Sequence, residues 1–332
     1  MSSLKIGIVG LPNVGKSTLF NALLKKQQAY AANFPFATIE PNVGVVPVPD
    51  ERLAKLSEAT KEAEKLTSLP PEVPATVEFV DIAGLIAGAS KGEGLGNKFL
   101  SHIREVDAIL HVVRVFPDSD IIKEGSVDPK SDFEIIKTEL ELADLETTQK
   151  HEKKKNADVE QLQLLSKKPF LVCLNVSEDQ LKDANTLEEK YASEFGLQKD
   201  QVVAICARTE EQLAGFSDED AVVYLSELGV TSSGLSRLIK KGFATLGLIT
   251  FLTAGEKEVR AWTIPVGITA QNAAGVIHND FIKKFIKADV VDFEDFIQLK
   301  GWKNAKEKGK VRSEGRDYIM KDGDVVEFKI GA

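Results

Sequence analysis

The sequence predicts an α/β protein built on a mostly parallel sheet, with a short helical hairpin inserted into it and a smaller α+β domain after it. Across the first two thirds of the 332 residues, β-branched runs alternate with helical patterns, which is typical of a parallel sheet covered by helices on both faces. A stretch without glycine or proline, 131–168, interrupts this alternation. Beyond about Leu248, short strands surround one helix and a tight turn, as in a small domain with its own core.

These changes of pattern divide the chain into three parts. We expect a discontinuous main domain at 1–130 and 169–248, a helical insertion at 131–168 and the α+β domain at 249–332. We interpret the insertion as a hairpin that turns within 153–158, with a single long crossover helix as the alternative. Strands of the main domain are expected at Lys5–Val9, Val43–Val48, Thr76–Val80, Ala108–Val115, Phe170–Leu174 and Gln201–Ile205. Helices are expected at Lys16–Lys26, Gly96–Glu105, Asn185–Phe195 and Ser233–Leu246.

Composition narrows the class of protein. The net charge of −9 argues against general affinity for nucleic acid or anionic lipid, and nothing indicates specificity for DNA. No stretch approaches the roughly 18 apolar residues of a membrane span, so we expect no membrane association and a cytoplasmic location. The two cysteines, Cys173 and Cys206, lie in expected strands without metal-type spacing and suit a reducing compartment.

The segment GLPNVGKSTLFNALL, 10–24, follows the first expected strand and opens the first expected helix. It matches the P-loop pattern G-x-x-x-x-G-K-[ST] at Gly10, Gly15, Lys16 and Ser17. In such a loop the backbone N–H groups and the helix dipole hold phosphates, while the lysine reaches the β- and γ-phosphates and the serine hydroxyl binds Mg²⁺. The sequence therefore predicts a P-loop NTPase with phosphate-binding residues Asn13, Val14, Gly15, Lys16, Ser17 and Thr18.

Residues further along the chain are expected to complete a magnesium site. Asp81 ends an expected strand that comes after the P-loop in the sequence. In P-loop NTPases a carboxylate at this place orients the coordination shell of the Mg²⁺ ion. Thr38 is a candidate Mg²⁺ ligand from a mobile loop, with an ordinary loop residue as an equal alternative. Gly84 follows Asp81 where its backbone N–H could contact the γ-phosphate, in a glycine-rich segment suited to sensing that phosphate. The predicted metal ligands are thus Ser17, Thr38 and Asp81.

The order of these elements resembles the translation-factor-related P-loop GTPases and their G-domain fold. In those proteins an Asn-Lys-x-Asp at the end of a later strand reads guanine, because its aspartate accepts from the N1–H and the 2-amino group. This chain has Asn175, Val176, Ser177 and Glu178 at the matching place. The glutamate is one methylene longer and the lysine is absent, so a guanine-specific pocket is disfavoured.

The resemblance is closest to the Obg-like ATPase family, also called YchF, and spans nearly the whole chain. It rests on the segments 10–24, 33–53, 81–116 and 253–281. It implies a preference for ATP, an inserted helical domain that is longer than 131–168, and a C-terminal TGS domain with a β-grasp fold. By the same resemblance, Asn175 would hydrogen-bond the adenine edge, Val176 would contact the base through its backbone, and Phe116 would pack on its face. Glu178 completes this predicted nucleotide-binding set. For Phe116, the sequence alone favours a position in the core.

Hydrolysis requires a group that positions the attacking water. Ras-type enzymes use a glutamine at the position where this chain has the aliphatic Leu85. Members of the family resembled carry a histidine in the loop after HVVR-x-F, and Lys123 stands there instead. Lys123 could stabilise charge on the γ-phosphate, so Lys16 and Lys123 are the predicted catalytic residues and slow hydrolysis is expected. His102 and His111 are candidates to position the water instead. The first lies on an expected helix and the second on an expected strand, where a histidine more often has a structural role.

Two further features have open interpretations. In some related NTPases, an asparagine at the position of Asn13 accompanies dependence on K⁺, because that ion can supply the charge that an arginine finger otherwise brings. The alternative is that Asn13 only stabilises the loop. The segment 300–316 holds seven basic and two acidic side chains and is either an RNA contact or a solvated face. The resemblance also implies association with ribosomes.

Three functions are consistent with these features. The first is a slowly hydrolysing regulatory ATPase linked to ribosomes, translation or the stress response. The second is a GTPase translation factor, against which 175–178 argue. The third is a nucleotide-gated module that binds RNA or protein with negligible catalysis, which Leu85 and Lys123 favour.

Overall fold

The computed structural model describes residues 4–33, 42–82, 94–117, 128–153 and 164–331. The strands are β1 (Lys5–Val9), β2 (Val43–Pro47), β3 (Glu72–Val73), β4 (Thr76–Asp81), β5 (Ala108–Arg114), β6 (Phe170–Asn175), β7 (Val202–Ile205), β8 (Leu248–Ala254), β9 (Val259–Pro265), β10 (Phe285–Asp292), β11 (Arg312–Glu314) and β12 (Asp324–Ile330). The helices are α1 (Lys16–Asn33), α2 (Arg52–Glu64), α3 (Gly94–Arg104), α4 (Pro129–Lys153), α5 (Ala184–Phe195), α6 (Ala207–Leu213), α7 (Asp218–Glu227), α8 (Gly234–Thr245), α9 (Ala270–Ile277), α10 (Asn279–Lys284), α11 (Phe293–Gln298) and α12 (Trp302–Glu307). Within the described ranges, every helix is too short or too polar to cross a bilayer.

The chain forms two compact units, and the first, 2–46 with 77–246, is called the N-terminal unit below. Its sheet has the strand order β2-β4-β1-β5-β6-β7, and β4, β1, β5, β6 and β7 pair in parallel. Every residue of β5 is buried, as expected of a strand covered on both faces. The predicted parallel α/β fold is therefore confirmed, with six strands at the expected places. Helix α1 is longer than predicted, because the Gln- and Ala-rich stretch after Lys26 continues the helix.

Helix α4 covers the sheet of the N-terminal unit rather than standing apart from it. Its residues Phe133, Ile136, Leu140 and Ala143 are buried, and three of them join a cluster with Ile103 and other core residues of this unit. The first part of the predicted insertion is thus a helix packed on this unit, an arrangement that both the hairpin and the single crossover helix allow. The proposed turn at 153–158 lies, apart from Lys153, outside the described residues.

The C-terminal unit, 47–76 with 247–331, contains a second sheet of order β11-β10-β12-β8-β9-β3. Strands β8 and β12 are parallel, whereas β8–β9, β10–β12 and β10–β11 are antiparallel. Helix α9 packs its alanines against Phe251 and Val290 of this sheet. A central parallel pair flanked by antiparallel neighbours and covered by one helix is the β-grasp arrangement that the resemblance implied.

Residues 47–76 group with the C-terminal unit, whereas the predicted boundaries place them in the main domain. Strand β3 pairs with β9, and α2 buries Leu53 and Leu56. Arg52 fixes the start of this segment: its guanidinium donates to both carboxylate oxygens of Asp50 at 2.8 and 2.7 Å, and to Asp322 Oδ2 at 2.9 Å. It also donates to Thr250 Oγ1 at 2.8 Å. The contacts with Thr250 and Asp322 join residues that are about 200 and 270 positions apart in sequence.

Candidate functional site

The P-loop lies between β1 and α1, as the sequence predicts. Asn13 has a φ of 61° and Gly15 a φ of 100°, so both adopt the left-handed region that lets the loop curl. The helix begins at Lys16, and the N–H groups of its first turn have no partners within the helix. A helix N-terminus beside a curled loop is a site for anions, and here it belongs to an 18-residue helix with a lysine at its first position.

Lys16 and Asp81 form the charged centre of this end of the site. Lys16 Nζ donates to the backbone oxygen of Leu11 at 2.7 Å, so the amine is held over its own loop. Burial lowers the pKa of Lys16, and the charge of Asp81 opposes that shift. Burial raises the pKa of Asp81, which Lys16 in turn lowers. Each group is therefore stabilised as an ion by the other.

The predicted metal-binding residues are only partly within the described part of the chain. The Ser17 side chain is exposed at the start of α1, and Asp81 ends β4. Thr38, Gly84, Leu85 and Lys123 lie outside the described residues, so the roles given to them stay predictions. In the described ranges, no group of three or more His, Cys, Asp or Glu side chains could hold a metal by itself.

Asn175 ends β6 with its side chain 6% exposed and both ends of its amide engaged. Its Nδ2 donates to the backbone oxygen of Val14 at 2.9 Å, and its Oδ1 accepts from the backbone N–H of Ala207 at 3.1 Å. A Cβ on Gly15 would lie 2.2 Å from Asn175 Nδ2, so the approach requires glycine. Asn175 thus ties the P-loop to the start of α6, a role that the sequence did not reveal. Its predicted contact with adenine stays a prediction.

A cavity of about 750 Å³ opens beside the P-loop in the N-terminal unit. Most of the residues predicted to bind the nucleotide line it, namely Asn13, Gly15, Thr18, Phe116, Asn175, Val176 and Glu178. Residues that the sequence did not assign to nucleotide binding complete the wall: Arg114, Ser177, Cys206, Ala207, Arg208, Glu211, Gln212 and Tyr224. Phe116 is half-buried at this cavity, so its core placement from the sequence alone is wrong.

Glu178 is held by two hydroxyl groups. Its Oε2 accepts from Thr209 Oγ1 at 3.1 Å and from Tyr224 OH at 3.3 Å. Thr209 is buried on α6 and Tyr224 stands on α7. The pKa of Tyr224 is raised by burial and by the neighbouring Glu178 charge. The carboxylate at the position of the guanine-reading aspartate is therefore committed to contacts within the protein.

His111 and His102 have different surroundings. His111 is 0% exposed in the middle of β5, stacked on Phe133 with ring centroids 5.7 Å apart. Neither ring nitrogen has a hydrogen-bond partner among the described residues, and burial lowers the pKa of His111 to about 3, with Lys16 adding to the shift. His111 is thus a neutral core residue and is excluded from the cavity. His102 lies exposed on the last turn of α3.

Four of the seven basic side chains of 300–316 form ion pairs within the C-terminal unit. Lys300 contacts Glu62 at 2.7 Å, Lys306 contacts Glu327 at 3.8 Å, Lys310 contacts Asp295 at 3.2 Å, and Arg312 contacts Asp292 at 3.0 Å. These partners come from other segments of the sequence. Much of the positive charge that the sequence concentrates here is therefore balanced by neighbouring carboxylates.

Comparison with known proteins finds two matching family models. Residues 5–176 match the model described as "50S ribosome-binding GTPase". Residues 248–331 match the model of the YchF GTPase C-terminal family, described as "Protein of unknown function".

Full-length relatives match as well. The "Ribosome-binding ATPase YchF" of Escherichia coli O157:H7 is 47% identical over 367 positions, covering 98% of both chains. The protein of the same name from Bacillus subtilis strain 168 is 45% identical over 370 positions, covering 98% of this chain and 99% of its own. Both alignments are longer than the 332 residues of this chain, so the relatives carry residues that it lacks. The structure titled "Structure of the Schizosaccharomyces pombe YchF GTPase" matches with a TM-score of 0.79 and 35% identity over 98% of both chains.

Proposed function

Because the chain belongs to the YchF family of P-loop NTPases, we propose that it binds ATP with Mg²⁺, hydrolyses it slowly and uses the nucleotide state to regulate binding to ribosomes. The observation that supports this most is the single cavity wall formed by the P-loop, Phe116 and the end of β6. A triphosphate on the P-loop would bring its base to the opposite end of that wall, beside Val176 and Glu178.

At the phosphate end, Lys16 is available to exchange partners. Its amine has one short contact, to a carbonyl of its own loop, and a phosphate oxygen would offer that amine a charged acceptor. The N–H groups at the start of α1 would hold the other phosphate oxygens. Because burial lowers the pKa of Lys16, an anionic ligand would also restore its preference for the charged form.

The donor set fits Mg²⁺. This ion binds few protein ligands and keeps water and phosphate oxygens for the rest of its coordination. The exposed hydroxyl of Ser17 and the carboxylate of Asp81 are oxygen donors of that kind. Burial raises the pKa of Asp81, and a bound cation would oppose that shift. When bound, Mg²⁺ would neutralise phosphate charge, while Ser17 and Asp81 hold it in place.

At the base end, the contacts of Glu178 support adenine over guanine. Reading guanine requires a carboxylate free to accept from two adjacent N–H groups, and Oε2 of Glu178 already accepts from Thr209 and Tyr224. Val176 replaces the lysine that packs over guanine. The bacterial relatives are called ATPases and the Schizosaccharomyces pombe protein a GTPase, so base preference is the property to measure first.

The names of the bacterial relatives support ribosomes as the partner, which would place the protein in the cytoplasm. In the basic segment, Lys303, Lys308 and Arg316 have no ion-pair partner among the residues that the structure describes. These three are the side chains we propose for contact with RNA phosphates, and their contribution should weaken as salt rises.

The test is calorimetric titration of ATP and GTP with Mg²⁺, on the wild type and Lys16→Ala. We expect ATP to bind at least tenfold more tightly than GTP, and Lys16→Ala to abolish measurable binding. Gln28→Ala, an exposed residue on the same helix, is the control and should bind as the wild type does. Tenfold preference for GTP would overturn the base assignment, and undiminished binding by Lys16→Ala would overturn the site.

Phosphate release then separates an enzyme from a binding module. We expect slow release from ATP, faster release with ribosomes, and a further increase in Lys123→His if the lysine limits the positioning of water. The same assay in KCl and NaCl tests whether Asn13 binds K⁺. No release under any of these conditions, with ATP bound, would favour the nucleotide-gated module without catalysis.

A further inference from the structure

Arg114 is a buried cation at the cavity that the nucleotide-binding set does not include. It ends β5, is 3% exposed and borders the cavity. Its NH1 donates to the backbone oxygen of Asn13 at 3.4 Å, and its guanidinium carbon lies 5.8 Å from the centre of the Phe116 ring. The side chain therefore stands between the P-loop backbone and the aromatic residue proposed to stack on the base.

No carboxylate contacts Arg114 anywhere in the described part of the chain. Two other arginines that are largely buried have carboxylate partners: Arg237 NH1 lies 2.6 Å from Glu188 Oε1, and Arg52 contacts both Asp50 and Asp322. A guanidinium has five N–H donors and keeps its charge at all accessible pH values. Burying such a group costs free energy unless an anion accompanies it. Among the described residues, the side chain of Arg114 has a long hydrogen bond to Asn13 and the uncharged ring of Phe116 beside it, so most of that cost is unmet there.

We propose that Arg114 is an anion-binding residue of the nucleotide site and that the missing countercharge is a phosphate of the bound nucleotide. The inference rests on the proposed function. The guanidinium touches the backbone of the loop that would hold the phosphates, and its planar fork suits two oxygens of one phosphate. A charge fixed on β5 would add to the charge of Lys16, whose amine contacts the same loop at the Leu11 oxygen.

This role has a consequence for stability that a purely structural arginine would not have. In the nucleotide-free protein no carboxylate of the described ranges offsets the buried charge of Arg114, so a neutral side chain of similar volume should leave the melting temperature unchanged or raise it. In the complex the same replacement removes a phosphate contact. The variant Arg114→Met should therefore keep its stability and lose affinity for the phosphates.

The experiment measures three ligands on Arg114→Met and Arg114→Lys by competition with a fluorescent ATP analogue in Mg²⁺. The ligands are ATP, tripolyphosphate and adenosine. We expect Arg114→Met to weaken ATP and tripolyphosphate at least tenfold each and to leave adenosine within twofold of the wild type. Arg114→Lys keeps a charge and should fall between the two. Arg104→Met removes an exposed arginine of α3 and should match the wild type.

Melting temperatures without nucleotide complete the test, with Arg237→Met as the paired arginine whose loss should destabilise the protein. Equal affinity of Arg114→Met and wild type for ATP would overturn the inference, and so would a loss of adenosine binding as large as the loss of ATP binding. A melting temperature lowered as far as that of Arg237→Met would also overturn it. Failure of the wild type to bind ATP or tripolyphosphate would refute the proposed function itself, a result distinct from a failure confined to Arg114→Met.

Discussion

The side-chain amide of Asn175 connects the P-loop to α6: Nδ2 donates to the Val14 oxygen at 2.9 Å and Oδ1 accepts from the Ala207 N–H at 3.1 Å. Three segments distant in sequence thus meet at one buried side chain. The position that the sequence assigns to base recognition also holds the phosphate loop in shape, so base and phosphate sites share a structural support.

We predict that Asn175→Ala lowers the free energy of unfolding of the N-terminal unit by roughly 2–3 kcal/mol, because two backbone groups lose their partners. Affinity for ATP and for GTP should fall together, which leaves the preference between them unchanged. Urea unfolding and nucleotide titration measure the two effects. Asn185→Ala, an exposed asparagine at the start of α5, is the control. A change confined to the preference for ATP would instead show that Asn175 reads the base.

Alanine substitutions at Gly15 and Gly196 should separate the effect of a steric clash from that of backbone strain. In Gly15→Ala the new Cβ would lie 2.2 Å from Asn175 Nδ2, at a φ of 100° that already disfavours alanine. We expect loss of measurable ATP binding in calorimetry. Gly196→Ala, at a φ of 68° with nothing within 4 Å of the added carbon, has only the strain and should cost about 1 kcal/mol of stability with binding intact. Equal behaviour of the two variants would contradict a steric role for Gly15.

His111 should make the N-terminal unit less stable in acid. The pKa of His111 is about 3 in the native state and near 6.5 in the unfolded chain. Between these pH values the unfolded chain therefore binds a proton that the native state does not bind. The stability present above pH 6.5 is lost as the pH falls toward 3, and the loss attributable to this residue reaches about 2 kcal/mol at pH 5.

We therefore predict that His111→Leu weakens the drop in stability between pH 7.5 and pH 5 by about 2 kcal/mol. Circular dichroism at 222 nm during urea unfolding follows the helices of both units, while tryptophan fluorescence follows the C-terminal unit alone, because Trp262 and Trp302 both lie in it. Comparison of the two signals therefore isolates the transition of the N-terminal unit. His102→Leu should leave the drop unchanged. The prediction fails if His111→Leu and the wild type show the same pH dependence.

The contacts of Arg52 should stabilise the C-terminal unit. We predict that Arg52→Met lowers its free energy of unfolding by about 2 kcal/mol, since Asp50 and Asp322 lose a shared cation and the side chain is only partly exposed. Tryptophan fluorescence during urea unfolding measures the change. Lys55→Met, an exposed lysine on α2, should have no effect. An unchanged transition in Arg52→Met would show that 47–76 is held by its apolar contacts alone.

Local patterns in the sequence predicted the sheet of the N-terminal unit well, because its buried strands are continuous apolar runs and the P-loop fixes where β1 ends and α1 begins. They did not reveal that 47–76 belongs with the C-terminal unit. That grouping depends on β3 pairing with β9 and on Arg52 meeting Asp322, and no local pattern reports contacts between residues so far apart.

The site shows the same division. Lys16, Ser17 and Asp81 could be predicted as site residues from spacing and order, since the P-loop motif is local. The position of Arg114 at the cavity could not be predicted, because a basic residue at the end of a strand is ordinary until its burial, and the lack of a carboxylate partner among the described residues, are seen. The two hydrogen bonds of the Asn175 side chain could not be predicted for a related reason, because their partners Val14 and Ala207 belong to distant segments.

The grouping of 47–76 with 247–331 affects how this protein can be made. Synthesis runs from the N-terminus, so β3 and α2 leave the ribosome long before β9 exists to pair with β3, and they must wait while the whole of 77–246 is translated. The C-terminal unit therefore cannot be completed during the early part of synthesis, and a fragment that starts at 247 would leave the β9 edge uncovered and the Asp322 carboxylate without Arg52.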